Sequence, residues 1–261
     1  MALATAQKAE SAPPESSAPT SVTETASTWR GIPIVVANLK GGVGKSTLAV
    51  SLASALAPLA RKVKFVDLDS QQSASEWVQL GQMDGHFKAI ELVGQGVANT
   101  PDKDLADGLF DSWLDDCDFL IVDTPAGGTL TPTTQQAIAV TDLVLVPFEP
   151  ASLAIRSTVK MWPFLREAKR KNKYLEVWVF PSKVEMNTNE HRDGIAQMKD
   201  FVEQNNDGFI TFAPFSISKR TAYQTISTDG TGPESRRLTD VSRQEIEAIK
   251  IAVLRHLEVL G

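Results

Sequence analysis

Lys40-Gly41-Gly42-Val43-Gly44-Lys45-Ser46-Thr47 follows an apolar, β-branched run at 34–37 and opens a stretch in which Leu48, Leu52, Ala55, Leu56 and Leu59 recur at helical spacing. Its context is strand, loop, helix. Gly41, Gly42 and Gly44 let backbone N–H groups turn inward around a phosphate chain without Cβ clashes, and the positive end of the following helix adds to the attraction. Lys45 is then placed to reach the β- and γ-phosphates, and the Ser46 hydroxyl to ligand Mg²⁺. The strict phosphate-loop pattern asks for glycine five residues before Gly44, and Leu39 occupies that position.

Working outward, the runs at 63–67, 119–123, 143–146 and 177–180 are also nearly continuous in apolar residues, as strands buried on both faces must be. Helices are expected around 72–80, 102–115, 131–140, 151–171, 191–205 and 239–259. This alternation predicts an α/β fold, a doubly wound, mostly parallel sheet with helices on both faces, forming one domain over 29–261. Two of the strands end in acids. The run 63–67 closes on Asp67-Leu68-Asp69, whose i, i+2 spacing puts both carboxylates on one side of an extended chain. The run 119–123 closes on Asp123, followed by Thr124-Pro125-Ala126-Gly127-Gly128.

Lys-Gly-Gly-Val-Gly-Lys-Ser-Thr at 40–47 resembles the deviant Walker A motif of the ParA/MinD family of dimeric ATPases. The resemblance runs over roughly 32–260 and is strongest in the first half. It implies a P-loop NTPase fold, ATP and Mg²⁺ as cofactors, and nucleotide contacts from Lys40 through Thr47. It also implies that Lys40 crosses a homodimer interface to the partner's phosphates, that Asp69 orients the attacking water near Mg²⁺, and that Asp123 completes the metal site with Ser46. Asp69 has a plainer reading as the cap of the helix at 72–80, and Asp67 reads as structural. Where the family usually has proline after the second acid, Ser70 stands here. The 124–128 turn resembles the family's switch region. Adenine contacts are expected near Pro181 or Pro214, on loop position alone.

Composition bounds the partners. With 26 basic and 32 acidic residues the formal charge is -6, so nucleic acid would have to be met by local patches. Arg166, Lys169, Arg170, Lys171, the pair Lys219-Arg220 and the pair Arg236-Arg237 supply such patches, and each reads equally as a solvated face. ParA relatives bind DNA non-specifically through basic residues late in the chain, which needs phosphate neutralisation only. The single cysteine, Cys117, excludes a four-cysteine cage within one chain, and no run approaches the ~18 apolar residues of a membrane span. Residues 1–28, rich in Ala, Ser, Thr, Pro and Glu, read as a disordered tail without the features of an export signal.

The resemblance therefore implies a cytoplasmic, nucleoid-associated ATPase. It would form an ATP-dependent dimer, bind DNA, and position a plasmid, chromosome origin or protein assembly through a ParB-like or other adaptor that stimulates hydrolysis. Two alternatives stand beside it: a MinD-like membrane-surface ATPase and a biosynthetic P-loop ligase. The stripe Ile246, Ile249, Val253, Leu257, Leu260 is the only feature offered to a membrane, and it reads as a core-facing face.

Overall fold

Along β1 (Ile32–Val36), Ile34 and Val36 point to one face of the sheet and Val35 to the other, and all three are fully buried. Cover on both faces is why the run shows no polar alternation. The computed structural model describes residues 30–97, 108–185, 187–205 and 208–260, with side chains to 257. The proposed tail at 1–28 and the segment 102–107 of an expected helix lie outside the described residues.

β2 (Val63–Asp67), β4 (Phe119–Asp123), β5 (Leu143–Phe148) and β6 (Glu176–Pro181) follow the same double-sided rule, with short β3 (Ile90–Leu92) and β7 (Ile210–Phe212) at the two edges. The order is β3-β2-β4-β1-β5-β6-β7, and every pairing is parallel. Parallel strands bring all their carboxyl ends to one edge, and the chain reverses its direction of travel across the sheet at β1. The loops after β1, β2 and β4 therefore meet at the crevice where such sheets hold ligands.

α1 (Lys45–Leu56) and α2 (Ser73–Met83) cover the face carrying Ile34, Phe65 and Ile121. α3 (Leu109–Leu114), α4 (Pro132–Val140), α5 (Ser152–Val159), α6 (Trp162–Lys171) and α7 (Asn189–Gln204) cover the opposite face over Val35, Val122 and Val146. α8 (Thr221–Thr228) and α9 (Val241–Leu260) return to the first face. Ile246, Ile249 and Val253 of α9 are fully buried in the cluster that holds Leu48, Leu52 and Leu56 of α1. These three positions of the apolar stripe are thus spent on the core. Leu257 packs partly buried against the same cluster.

The expected helix at 151–171 is two helices. Pro163 sits in the first turn of α6, where its missing N–H costs nothing, whereas in one continuous helix its ring would strike the carbonyl four residues back. β3 and β7, three residues each, are too short for a periodic signal, and α8 is rich in threonine and serine, which favour helices weakly.

Close backbone approach fixes how α7 meets the end of β5. A Cβ on Gly194 would fall 2.2 Å from the Pro150 carbonyl oxygen and 3.2 Å from Ile155 Cδ1. Gly to Ala inside an ordinary helix is stabilising by roughly 1 kcal/mol. Here Gly194→Ala is expected to destabilise by about 1–3 kcal/mol through overpacking, read as a lower urea midpoint; a raised midpoint would contradict the packing.

Candidate nucleotide site

The loop 37–44 is tied at three points to its neighbours. Asn38, fully buried, donates through Nδ2 to the Pro147 carbonyl (2.9 Å) and to Thr158 Oγ1 (2.8 Å), while its Oδ1 accepts the Lys40 N–H (2.9 Å). The Gly127 N–H donates to the Leu39 carbonyl at 3.1 Å, joining this loop to the one after β4. The Ser182 hydroxyl, at the end of β6, donates to the Val43 carbonyl at 2.8 Å. Two loop carbonyls are thereby held outward, toward protein. Gly42 and Gly44 take φ of +77° and +91°, in the left-handed region that glycine alone enters freely, and Gly44 caps α1 with no side-chain hydrogen bond. The first-turn amides of α1 are left to an external anion.

Lys45, at the start of α1, is 6% exposed, and burial lowers its pKa against the opposing pull of Asp123 and Asp69. Asp123 is completely buried, and neither carboxylate oxygen has a hydrogen-bond partner among the described residues. Burial raises its pKa to about 7; the Ser46 hydroxyl beside it and the charge of Lys45 oppose the rise, while Asp67 and Asp69 add to it. An orphaned buried carboxylate next to a hydroxyl at a helix start is a donor set of oxygen atoms suited to Mg²⁺.

The two acids after β2 divide their work differently from the capping alternative. Asp67 is buried; its Oδ1 accepts the Asp69 N–H (3.0 Å) and its Oδ2 the Ser75 N–H (3.0 Å), so Asp67 satisfies the start of α2. Burial raises its pKa, and those two amides oppose the rise. Among the described residues, Asp69 Oδ1 accepts only the Gln71 N–H at 3.0 Å, and Gln72 is the residue that caps α2, at φ +54°. Asp69 is half-buried and close enough to Lys45 and Asp123 to perturb both.

A cavity of about 180 Å³ opens beside Gly44, Thr47 and Leu48, walled by Ser182 and Lys183 on one side and by Ile217, Ser218, Lys219, Arg220 and Tyr223 on the other. Neither Pro181 nor Pro214 lines it. Pro181 is buried with its carbonyl accepting the Ile217 N–H (3.0 Å), and Pro214 is exposed; Ser182 and Lys183 beyond the first proline and Ile217 to Arg220 beyond the second line the cavity instead. Lys183 holds φ +56°, and its neighbour Val184 is bridged to Ser218.

The basic candidates fall into two places. Arg166, Lys169, Arg170 and Lys171 lie on α6, which runs to the amino-terminal edge of the sheet, away from the loop 37–44. Lys169 is occupied there by the carbonyls of Lys173 and Leu175 (both 2.8 Å) and by Glu176, while Arg170 and Lys171 pair with Glu167. Lys219 and Arg220 stand instead at the cavity. Lys219 pairs with Glu185 (2.6 Å), and Arg236 Nη2 donates to the Ala222 carbonyl of α8 (3.4 Å); Arg237 is exposed next to it. Asn38 and Ser182 hold the loop at positions that sequence reasoning misses: a buried Asn two residues before Lys40 and a Ser just past a strand carry no spacing signal.

A glycine-lined loop between a central parallel strand and a helix, with a buried lysine facing strand-end acids, defines a P-loop nucleotide-binding protein. Residues 34–230 match the CobQ/CobB/MinD/ParA nucleotide binding domain, and the chain belongs to that family. It is 25% identical to a ParA family protein of Mycoplasma pneumoniae over 265 residues, covering 84% of this chain and 97% of the relative. It is 29% identical to the chromosome-partitioning ATPase Soj of Thermus thermophilus over 160 residues, 52% of this chain and 62% of Soj. Among solved structures, an ATP complex of a Cyanothece McdA variant aligns with a TM-score of 0.69 at 18% identity, covering 86% of this chain and 96% of that one. A Mycobacterium smegmatis cobyrinic acid a,c-diamide synthase with bound ATP analog and magnesium gives 0.65 at 20% identity, with 87% and 95% covered. These structural likenesses speak to the fold.

Because folded Asp123 holds its proton more tightly than in the unfolded chain, its contribution to stability is full below the ordinary carboxyl pKa near 4 and is lost as pH rises toward about 7. Asp123→Asn removes that loss. In metal-free chain, the stability of the variant relative to wild type is expected to rise between pH 5 and pH 8 in urea melts; an unchanged or falling difference would contradict a buried, unpartnered carboxylate.

Proposed function

We propose that this chain is a ParA-type ATPase that closes an ATP-dependent homodimer, binds DNA without sequence preference, and positions a cargo through an adaptor that stimulates hydrolysis. The observation that carries the reading is the pair of lysines at 40 and 45 around one glycine loop. Lys45 is buried against Asp123 and Asp69, whereas the Lys40 side chain forms no hydrogen bond or ion pair with any described residue. A lysine at the mouth of a phosphate cradle with nothing to hold is available to a second subunit's nucleotide.

In this reading the first-turn amides of α1 and Lys45 hold the β- and γ-phosphates, and Ser46 with Asp123 holds Mg²⁺. Bound there, Mg²⁺ neutralises charge on the phosphate oxygens. Asp69 orients a water for attack on the γ-phosphorus; the P–O bond to the β-phosphate breaks, and ADP and inorganic phosphate leave. The cavity between Ser182–Lys183 and Ile217–Tyr223 takes the adenine. The loop 124–128, hydrogen-bonded to Leu39, is placed to sense the γ-phosphate. For DNA, Lys219, Arg220, Arg236 and Arg237 are favoured over the α6 set, because Lys219 and Arg220 line the cavity beside the phosphate loop and Arg236 reaches the first turn of α8 next to them, whereas α6 runs to the opposite edge of the sheet. The buried α9 stripe argues against a membrane helix at that position, and cytoplasmic, nucleoid-bound placement follows from the DNA reading.

Co-sedimentation with plasmid DNA and with anionic liposomes, in ATP and in ADP, tests this. DNA pelleting that needs ATP and falls with salt is expected, with none on liposomes, and Lys40→Ala is expected to bind ATP yet lose the ATP-dependent pelleting. Equal DNA binding in both nucleotides, or ATP-dependent liposome binding, would overturn it.

A further inference from the structure

One carboxylate from the carboxyl-terminal helix braces the wall of the cavity beside the phosphate loop. Glu245, on α9, accepts through Oε1 both the Ser218 N–H (3.1 Å) and the Ser218 hydroxyl, and through Oε2 the Tyr223 hydroxyl at 2.7 Å. Ser218 and Tyr223 both line the cavity, as does Ile246, the residue after Glu245. Tyr223 is 7% exposed, and its hydroxyl makes a second contact with the Ser242 carbonyl at 3.3 Å. The Ser218 hydroxyl also receives Arg220 Nε at 2.8 Å, so the network ends on an exposed cation at the cavity mouth. Across the cavity, Val184 and Ser218 form a bridge, with the Val184 N–H on the Ile217 carbonyl (3.0 Å) and the Lys219 N–H on the Val184 carbonyl (3.1 Å). No side chain among the cavity's lining residues is acidic, so Glu245 acts from behind the wall and not as a contact.

We infer that Glu245 is a positioning residue for nucleotide binding: by fixing the Ser218 and Tyr223 side chains it shapes the lining of the base-side cavity, and α9 thereby contributes to affinity for the base but not for the phosphates. The inference rests on the reading of this cavity as the adenine site. A helix that packs on α1 through Ile246, Ile249 and Val253 is a rigid platform for such a brace. Losing Glu245 leaves the Tyr223 hydroxyl with one long contact and the Ser218 hydroxyl with Arg220 alone, so these two side chains are no longer fixed in the cavity wall, while the 217–219 backbone stays bonded to Pro181 and Val184. All three bonds lost are to the Glu245 carboxylate and partly shielded from water, enough together to shift affinity measurably.

Calorimetric titration with Mg·ATP and with inorganic triphosphate, which has the phosphates but no base, separates the roles. Wild type is expected to bind ATP more tightly than triphosphate. Glu245→Ala is expected to lose roughly tenfold in ATP affinity with triphosphate affinity unchanged. Tyr223→Phe, which removes one hydroxyl and keeps the Ser218 bonds, is expected to show a smaller loss in the same direction, and Glu245→Gln, which keeps an acceptor for the Ser218 amide, to recover most of the ATP affinity. If Glu245→Ala and Tyr223→Phe weaken both ligands equally, or neither, the positioning role is wrong. If wild type itself binds triphosphate as tightly as ATP, the cavity is not the base site, and the reading beneath the inference fails first.

Discussion

The site depends on a lysine being held in a place where its charge is poorly solvated. Lys45 loses water to the packing around the start of α1 and recovers part of the cost from Asp123 and Asp69, while Asp123 is itself driven toward its neutral form. Neither group is satisfied by the protein alone. A polyanion with a divalent cation supplies what each lacks, a negative partner for the ammonium and a cation for the carboxylate, so the folded chain stores an electrostatic demand that a metal–nucleotide complex meets. The three ties on loop 37–44 keep that demand in one geometry, because its own Asn38 anchors it to β5 and α5 while Gly127 and Ser182 hold it from the loop after β4 and from the end of β6.

Much of this is legible from residue order. The strands at 63–67 and 119–123 have the observed limits, because doubly covered parallel strands leave an unbroken apolar run closed by an acid. The glycines at 42 and 44 and the lysine at 45 announce their purpose by spacing. What cannot be seen is what tertiary contact decides. Asn38 and Ser182 matter through partners at separations of 120 and 139 residues, which no local pattern records. Asp67, read as structural, and Asp69, read as the water-orienting acid with capping as the plainer alternative, are told apart by which amides each accepts. The edge strands β3 and β7 owe their existence to pairing with neighbours, and the break between α5 and α6 to a single proline whose effect is outweighed in the sequence by a long helical pattern.

The basic residues show how sequence clustering misleads about electrostatics. Arg166, Lys169, Arg170 and Lys171 are dense along the chain, yet Glu167 and Glu176 and the carbonyls after α6 take up much of their hydrogen-bonding capacity. Lys219 and Arg220 lead into α8 and Arg236 folds back onto it, and they too have partners within the chain, in Glu185, Ser218 and the Ala222 carbonyl. Exposed pairs such as these contribute little to stability.

The central claim is that the burial of Lys45 at a pre-shaped loop exists to hold nucleotide phosphates. Isothermal titration of Mg·ATP into the Lys45→Ala variant, with circular dichroism to show an intact fold, measures it most directly. The account predicts a loss of roughly 100-fold or more in affinity, as expected when two charge-assisted hydrogen bonds disappear. Affinity equal to wild type in a folded variant would contradict it.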